Sequence, residues 1–354
     1  MKIRRIICLI LCVTLCLSSA VLLSGCGESK MEQMEIWSMH TTMTLTCYGK
    51  NRENGLTAAA NVINSLNSMV DPELDTSTVY AINHANGESV NISGQVAGMI
   101  EKAKLVYERS DGALDITIYP LLKLWGFIDG TYYEPYAQEI LDRLELLCFD
   151  QLELSSFPSS GTYSVKLPSY GSITLGAVAK GCASDNAVEA MRNAGVESGI
   201  VSLGGNVQTL GYKPDGSLWK VAIVDPNNTS SYIGVLEVGE TAVITSGPYQ
   251  QNFTTVNGDY YHHLLNPTSG YPANNLLSSV TVICEDGTMA DCLSTALFVM
   301  GQTKAISYWR TYGDDSEYPF EMILVTTGNE IICTSGLIEQ FTPSNDNYTV
   351  SYTE

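Results

Sequence analysis

Apolar residues recur at two distinct periods along the chain, and the changes of period mark its elements. Thr42-Met43-Thr44-Leu45-Thr46-Cys47 alternates polar with apolar, as a half-buried strand does. Ala59, Val62, Ile63, Leu66, Met69 and Val70 keep helical spacing, and Val96, Met99, Ile100, Ala103, Val106 and Tyr107 repeat it, with Gly112 as a stop. A further helix is predicted from about Ala183 to Ala194, ending at Gly195. From Gly199 to Cys284 the chain is strand-like, with runs at 221–224, 234–238, 242–245 and 278–284 separated by Asn, Gly and Pro. Helices near Met289 to Met300 and Lys304 to Thr311 follow, then a strand at Glu321 to Val325. Strands and helices come in runs rather than in regular alternation, which predicts an α+β fold.

The N-terminus departs from this pattern. Lys2, Arg4 and Arg5 precede an almost uncharged apolar run from Ile6 to Leu23, the layout of a secretory signal peptide. The run ends in Leu23-Ser24-Gly25-Cys26, which resembles a bacterial lipobox, so residues 1–25 are expected to be removed and Cys26 to carry lipid. An uncleaved membrane helix is the alternative, because the run is about long enough to span a bilayer. Residues 26–35 are expected to form a lipidated tether, 36–345 one catalytic domain without internal linkers or repeats, and 346–354 a C-terminal tail.

The formal charge is -20, and loss of the three leader cations takes it to about -23. Such a surface argues against nucleic acid as a partner, since phosphate binding needs Lys and Arg on one face. Of ten cysteines, Cys8, Cys12, Cys16 and Cys26 belong to the leader and its cleavage site. Cys47, Cys148, Cys182, Cys284, Cys292 and Cys333 form no CxxC pair and read as buried free thiols.

Negative motifs narrow the chemistry. Gly204-Gly205-Asn206 lacks the glycine spacing of a dinucleotide turn, and neither a phosphate-binding GxxxxGK[ST] loop nor a GxSxG elbow nor an HExxH helix is present. In a helix beginning near Met289, Asp291 and Thr295 share a face with Ser294 beside them, one carboxylate and two hydroxyls together. That grouping suits a hard cation, and it equally suits an N-capping Asp with solvated hydroxyls. Gly176 to Gly181 lets backbone approach a ligand closely and sets Lys180 at a helix start, an arrangement that fits either a diphosphate or a plain capping loop. His262 and His263 adjoin, and in a strand only one of them can face a cleft.

Dispersed signatures nevertheless follow one another in a recognisable order. They include Met39-His40-Thr41, Ser77 to Asn83, Gly112-Ala113-Leu114-Asp115, Leu124-Trp125-Gly126-Phe127, Leu175 to Gly181 with Asp185, and Leu203-Gly204-Gly205-Asn206. Asp225-Pro226, Thr245-Ser246-Gly247, His263-Leu264-Leu265-Asn266-Pro267, Gly270-Tyr271-Pro272, and Ala290-Asp291 with Ser294-Thr295-Ala296 complete the series. Together they resemble the ApbE family of FAD:protein FMN transferases over roughly residues 36–345. The resemblance implies a single catalytic unit built on a mixed, largely antiparallel sheet with packed helices. It implies Mg²⁺-dependent transfer of FMN from FAD to a Thr or Ser hydroxyl of an exported or membrane-bound acceptor, releasing AMP. It also implies that the Ala177 carbonyl, Asp291, Ser294 and Thr295 hold the metal, and that Met39, Ala113, Leu114, Asp115, Thr174, Lys180 and Leu264 contact FAD. His263 matches the family histidine, as a proton acceptor or as a structural neighbour of the flavin.

The chain departs from the family pattern in places. His40 stands where the family has Gly, Thr174 where it commonly has Asp, Asn266 where it often has Asp, and Met69 to Glu73 offers no clear aromatic for ring stacking. An FAD pyrophosphatase using water in place of a protein hydroxyl, or a non-catalytic flavin-binding lipoprotein, would use much of the same site.

Overall fold

A computed structural model describes residues 30–157 and 161–353. The leader 1–25 and the lipidation candidate Cys26 lie outside the described residues. A nine-stranded sheet runs in the order Met31–Ser38, Thr41–Tyr48, Gly199–Leu203, Asn206–Leu210, Ala242–Ser246, Leu277–Cys284, Phe320–Thr326, Glu330–Thr334 and Thr349–Thr353. Every neighbouring pair is antiparallel except the last. The fold is α+β.

Alternation along the central strands sorts their side chains onto two apolar faces. Ile244, Val280, Val282, Met322 and Leu324 join one core with the helices Arg52–Val70, Gly94–Arg109, Ala179–Asn193 and Gly287–Met300. Val243, Ile283, Ile323, Val325 and Ile331 face the other way, against Trp219, Val221, Ile223 and Leu236 of a three-stranded sheet. A strand covered on both faces is buried along its length, and every residue of Leu277–Cys284 except Ser278 is buried, Ser279 and Thr281 included.

The predicted helices and strands are present, with shifted ends. The helix expected from Ala183 starts at Ala179, directly after the Gly176 loop, and the one expected near Met289 starts at Gly287. Its N-cap is Asp286, whose side chain accepts from the Met289 amide. Asp291 is therefore not the cap of its helix.

Two segment boundaries need correction. Strand Met31–Ser38 begins inside the expected tether 26–35, because Met34 and Ile36 pack on the core and draw the chain into the sheet. The expected tail 346–354 contributes Thr349–Thr353, which pairs in parallel with Glu330–Thr334. Buried Tyr348 anchors it by donating to the Asp225 carboxylate at 2.5 Å, with Asn345 and the Asn227 amide on the same carboxylate. The Asp225-Pro226 motif is thus a structural hub far along the chain from the residues it secures.

The six cysteines outside the leader are buried free thiols, and burial raises the Cys47 and Cys148 pKa values to about 11.

Met39 and His40 form the two-residue turn joining the first two strands, where Ser38 pairs with Thr41. Both are left-handed, at φ 47° and 59°. A side chain at His40 is strained by about 1–2 kcal/mol, offset in part by the roughly 0.5–1 kcal/mol entropic disadvantage of glycine. His40→Gly is therefore expected to stabilise the fold by about 0.5–1 kcal/mol and raise the melting temperature by roughly 1–3 °C. A lower melting temperature in calorimetry would show that the His40 side chain contributes more than its backbone strain takes away.

Candidate functional site

One end of the sheet opens into a cleft of about 930 Å³. Its walls come from segments far apart in sequence. The Met39-His40 turn, Ala113 to Ile116, Thr174 to Lys180, His263 to Leu265, and Asp291 with Thr295 all line it. Of the site residues expected from sequence, Met39, Ala113, Leu114, Asp115, Thr174, Ala177, Lys180, His263, Leu264, Asp291 and Thr295 meet there. Ser294 does not. It is fully buried, donates to the Asp291 carbonyl at 3.0 Å, and shares a 2.8 Å hydrogen bond with Ser246. Ser246 lines the cleft beside it instead, 3.4 Å from the Thr295 hydroxyl.

The local folding of each wall follows from its sequence. Asn83 clamps the chain before Thr174 by donating to the Ile173 carbonyl at 2.9 Å and accepting its amide at 2.7 Å. Ser77 caps the short helix that carries Asn83, so the Ser77 to Asn83 signature supports the cleft from behind. The buried Trp125 indole donates to the Gly270 carbonyl at 2.9 Å, tying the Leu-Trp-Gly-Phe segment to the Gly-Tyr-Pro segment. Gly126, at φ 78°, has no room for a Cβ, which would lie 2.3 Å from the Thr131 carbonyl oxygen.

Asp291 is 3% exposed and is held from two sides. Its Oδ2 accepts the Gly181 amide at 2.8 Å, and its Oδ1 accepts the Asn206 side-chain amide at 3.1 Å. Asn206 closes the Gly204-Gly205 hairpin, both of whose glycines have positive φ. Sequence reasoning read this triplet as a failed dinucleotide turn and as one of the ordered signatures, with no role for Asn206. The usable signal was a two-residue Gly-Gly break between strand-like runs.

Asp115 is buried, and its Oδ1 accepts both the amide and the hydroxyl of Thr117, at 2.7 and 2.6 Å. Burial raises its pKa against the lowering effect of those two bonds. His262, the last residue of strand Tyr260–His262, packs edge-on against Phe298 in the core, and His263, just beyond the strand, lines the cleft. His263 Nδ1 lies 3.1 Å from the Gln251 carbonyl. A carbonyl only accepts, so the proton sits on Nδ1 and Nε2 keeps its lone pair. Desolvation lowers the His263 pKa to about 3, with Lys180 adding in the same direction.

Among the described residues Lys180 is the only lysine or arginine lining the cleft, against the carboxylates of Asp71, Glu73, Asp115, Asp129 and Asp291. Glu73 is engaged by the Tyr119 hydroxyl and by Lys123. Phe127 and Tyr132 add aromatic surface, and Tyr132 stacks on Phe253 at 5.1 Å. Sequence reasoning assigned no role to these rings or to Ser246 and Asn206.

An α+β frame with a deep cleft, a clamped buried carboxylate and a desolvated histidine defines an enzyme. Residues 39–324 match the ApbE family. A Klebsiella pneumoniae relative named FAD:protein FMN transferase is 35% identical over 277 residues, covering 77% of this chain and 83% of the relative. A Vibrio cholerae relative of the same name is 28% identical over 323 residues, 88% of this chain and 92% of its own. Among solved structures, the ApbE protein of Thermotoga maritima aligns with a TM-score of 0.77 at 28% identity, covering 85% of this chain and 96% of that one. Flavin transferase ApbE from Vibrio cholerae aligns at 0.72 and 25% identity, over 89% and 97%. The chain belongs to the ApbE family.

The approach of two helices governs the site. A Cβ on Gly181 would fall 2.1 Å from the Gly287 carbonyl oxygen and 2.7 Å from Asp291 Cβ. Gly181→Ala should push the helices apart, break the amide bond to Asp291, and destabilise the fold by about 1–3 kcal/mol. An unchanged urea midpoint would show that the pair separates at no cost.

Proposed function

We propose that this chain transfers FMN from FAD to a threonine or serine hydroxyl of an exported or membrane-bound partner protein, with Mg²⁺ and with release of AMP. What carries the reading is the convergence of separate family segments on one cleft of dinucleotide size. Among the described residues its lining has five carboxylates against one lysine, so a diphosphate requires an added cation there.

The donors fit magnesium. Asp291, the Thr295 hydroxyl and the Ala177 carbonyl are hard oxygen ligands from cleft-lining residues, and each Asp291 oxygen accepts one N–H and retains a lone pair. Among the described residues no group of three or more His, Cys, Asp or Glu gathers for a metal, and a set of one carboxylate with neutral oxygens is of the kind magnesium takes while keeping several waters. Bound there, Mg²⁺ would neutralise charge spreading over the phosphate oxygens.

The chain's own residues supply the rest. Lys180, at the start of its helix, adds positive charge near the diphosphate. Met39, Leu114 and Leu264 offer apolar surface to the rings, and Asp115 Oδ2, which takes no described protein donor, accepts from a polar ring edge. The acceptor oxygen attacks the phosphorus of the FMN half, the bond to the AMP oxygen breaks, and the hydroxyl proton passes to His263 Nε2. Lipid on Cys26 would hold the enzyme on the extracytoplasmic side of the cell membrane, beside acceptors of the same compartment. Cys26→Ser should then release the protein from membranes.

Incubating the protein with FAD, Mg²⁺ and candidate exported acceptors, and reading covalent flavin fluorescence on a gel, tests the reaction. FMN and AMP appearing without labelled protein would overturn it in favour of hydrolysis. Asp291→Ala is expected to abolish transfer, and transfer at the parent rate under limiting Mg²⁺ would remove the cation from Asp291.

His263→Ala should lower transfer about a hundredfold while FAD still binds. Because the His263 pKa is lowered to about 3, the base stays unprotonated throughout neutral and mildly acidic solution. The rate profile should accordingly show no acid limb from this residue between pH 8 and about 5. A limb near 6.5, the ordinary histidine value, would place the imidazole in solvent.

A further inference from the structure

The strand Asn206–Leu210 presents Asn206 and Gln208 to one face, two residues apart, and each amide grips a carboxylate of the helix pair behind it. Gln208 donates to Asp185 Oδ1 at 2.9 Å and accepts from Ser184 at 2.5 Å. Asp185 in turn accepts the Gly287 and Thr288 amides, each at 2.8 Å, and the Thr288 hydroxyl at 2.6 Å. That carboxylate staples the start of the helix bearing Asp291. Asn206, 1% exposed and itself lining the cleft, donates to Asp291 Oδ1 while the Gly181 amide holds Oδ2.

We infer that Asn206 is a positioning residue that fixes the orientation of the Asp291 carboxylate and thereby makes the site selective for a small octahedral cation. The inference rests on the cation assignment made above and deepens it. A carboxylate with one N–H on each oxygen cannot turn about its terminal bond without losing a buried hydrogen bond. It offers one remaining lone pair per oxygen in a set direction. Magnesium demands near-ideal octahedral geometry, whereas calcium accepts six to eight oxygens in flexible arrangements and takes carboxylates at one point or two. A clamped ligand therefore favours magnesium, and a ligand released on one side loses that preference. Partners behind a metal ligand commonly change metal affinity by about 10- to 100-fold when removed.

The test is calorimetric titration of the full chain with Mg²⁺ and separately with Ca²⁺, FAD present, comparing the parent with Asn206→Ala and Asn206→Leu. Leu matches the shape of Asn without its N–H, so it separates the lost bond from a lost volume. Both variants are expected to weaken Mg²⁺ binding about tenfold or more and Ca²⁺ binding by clearly less. Equal weakening of the two cations would mean general loosening of the site and would overturn the inference. So would parent-like Mg²⁺ affinity in either variant. Should the apolar replacements fail to fold, Asn206→Ser keeps a polar group in the hairpin, too short to reach Asp291, and the same unequal loss is required of it. If the parent itself shows no saturable Mg²⁺ binding, the cation assignment fails, an outcome distinct from any result that separates the variants.

Discussion

The approach of the Ala179–Asn193 helix to the Gly287–Met300 helix is the constraint on which the rest depends. Helices usually pack with their axes 8–10 Å apart, set by the side chains between them. Here glycine faces the contact from both sides: a Cβ on Gly181 would strike the Gly287 carbonyl, and a Cβ on Gly287 would strike Gln208, Asp185 and Ser184. With nothing between them, the backbone of one helix reaches the Asp291 carboxylate of the other. The Gly181 amide is one of the unpaired donors of a helix first turn, and Asp291 takes it. The same carboxylate thus satisfies an orphan amide and stands at the cleft.

That arrangement explains why the Leu175 to Gly181 line is so distinctive. The Gly176 amide donates to the Thr174 hydroxyl at 3.3 Å. Ala177 and Lys180 then line the cleft, and Gly181 turns inward to the neighbouring helix. Asp185, one turn further, closes the second helix start. A single short segment therefore lines the cleft, spaces the helices and caps one of them, and each duty falls on a residue type suited to it.

Much of the architecture was legible because burial imposes period. The Arg52–Val70 and Gly94–Arg109 helices each bury one face, and the apolar spacing shows it. The short helices Thr78–Asn83 and Ala137–Leu144 carried too few apolar positions to register. Strand Met31–Ser38 escaped because it is an edge strand with mostly exposed side chains, Met31 and Trp37 among them, and only Met34 and Ile36 pack on the core. The final strand escaped for the same reason, since its place is set by Asp225 and its partners rather than by its own pattern.

In the site, helical geometry explains both what sequence located and what it misplaced. At roughly 100° per residue, Thr295 lies about 40° to one side of Asp291 and Ser294 about 60° to the other. The two hydroxyls cannot both face a cleft on the Thr295 side, and Ser294 turns instead to Ser246 of the Ala242–Ser246 strand. Spacing rules identify a helix face but not its breadth, so a neighbouring strand decides which of two candidates lines the cleft. Asn206 shows the converse. No spacing links it to Asp291, eighty-five positions away, and only the sheet, by stacking the Gly204-Gly205 hairpin against the helix pair, brings an amide to the carboxylate. The donor that holds Asp291 Oδ1 is supplied by topology, and topology is what a single sequence encodes least locally.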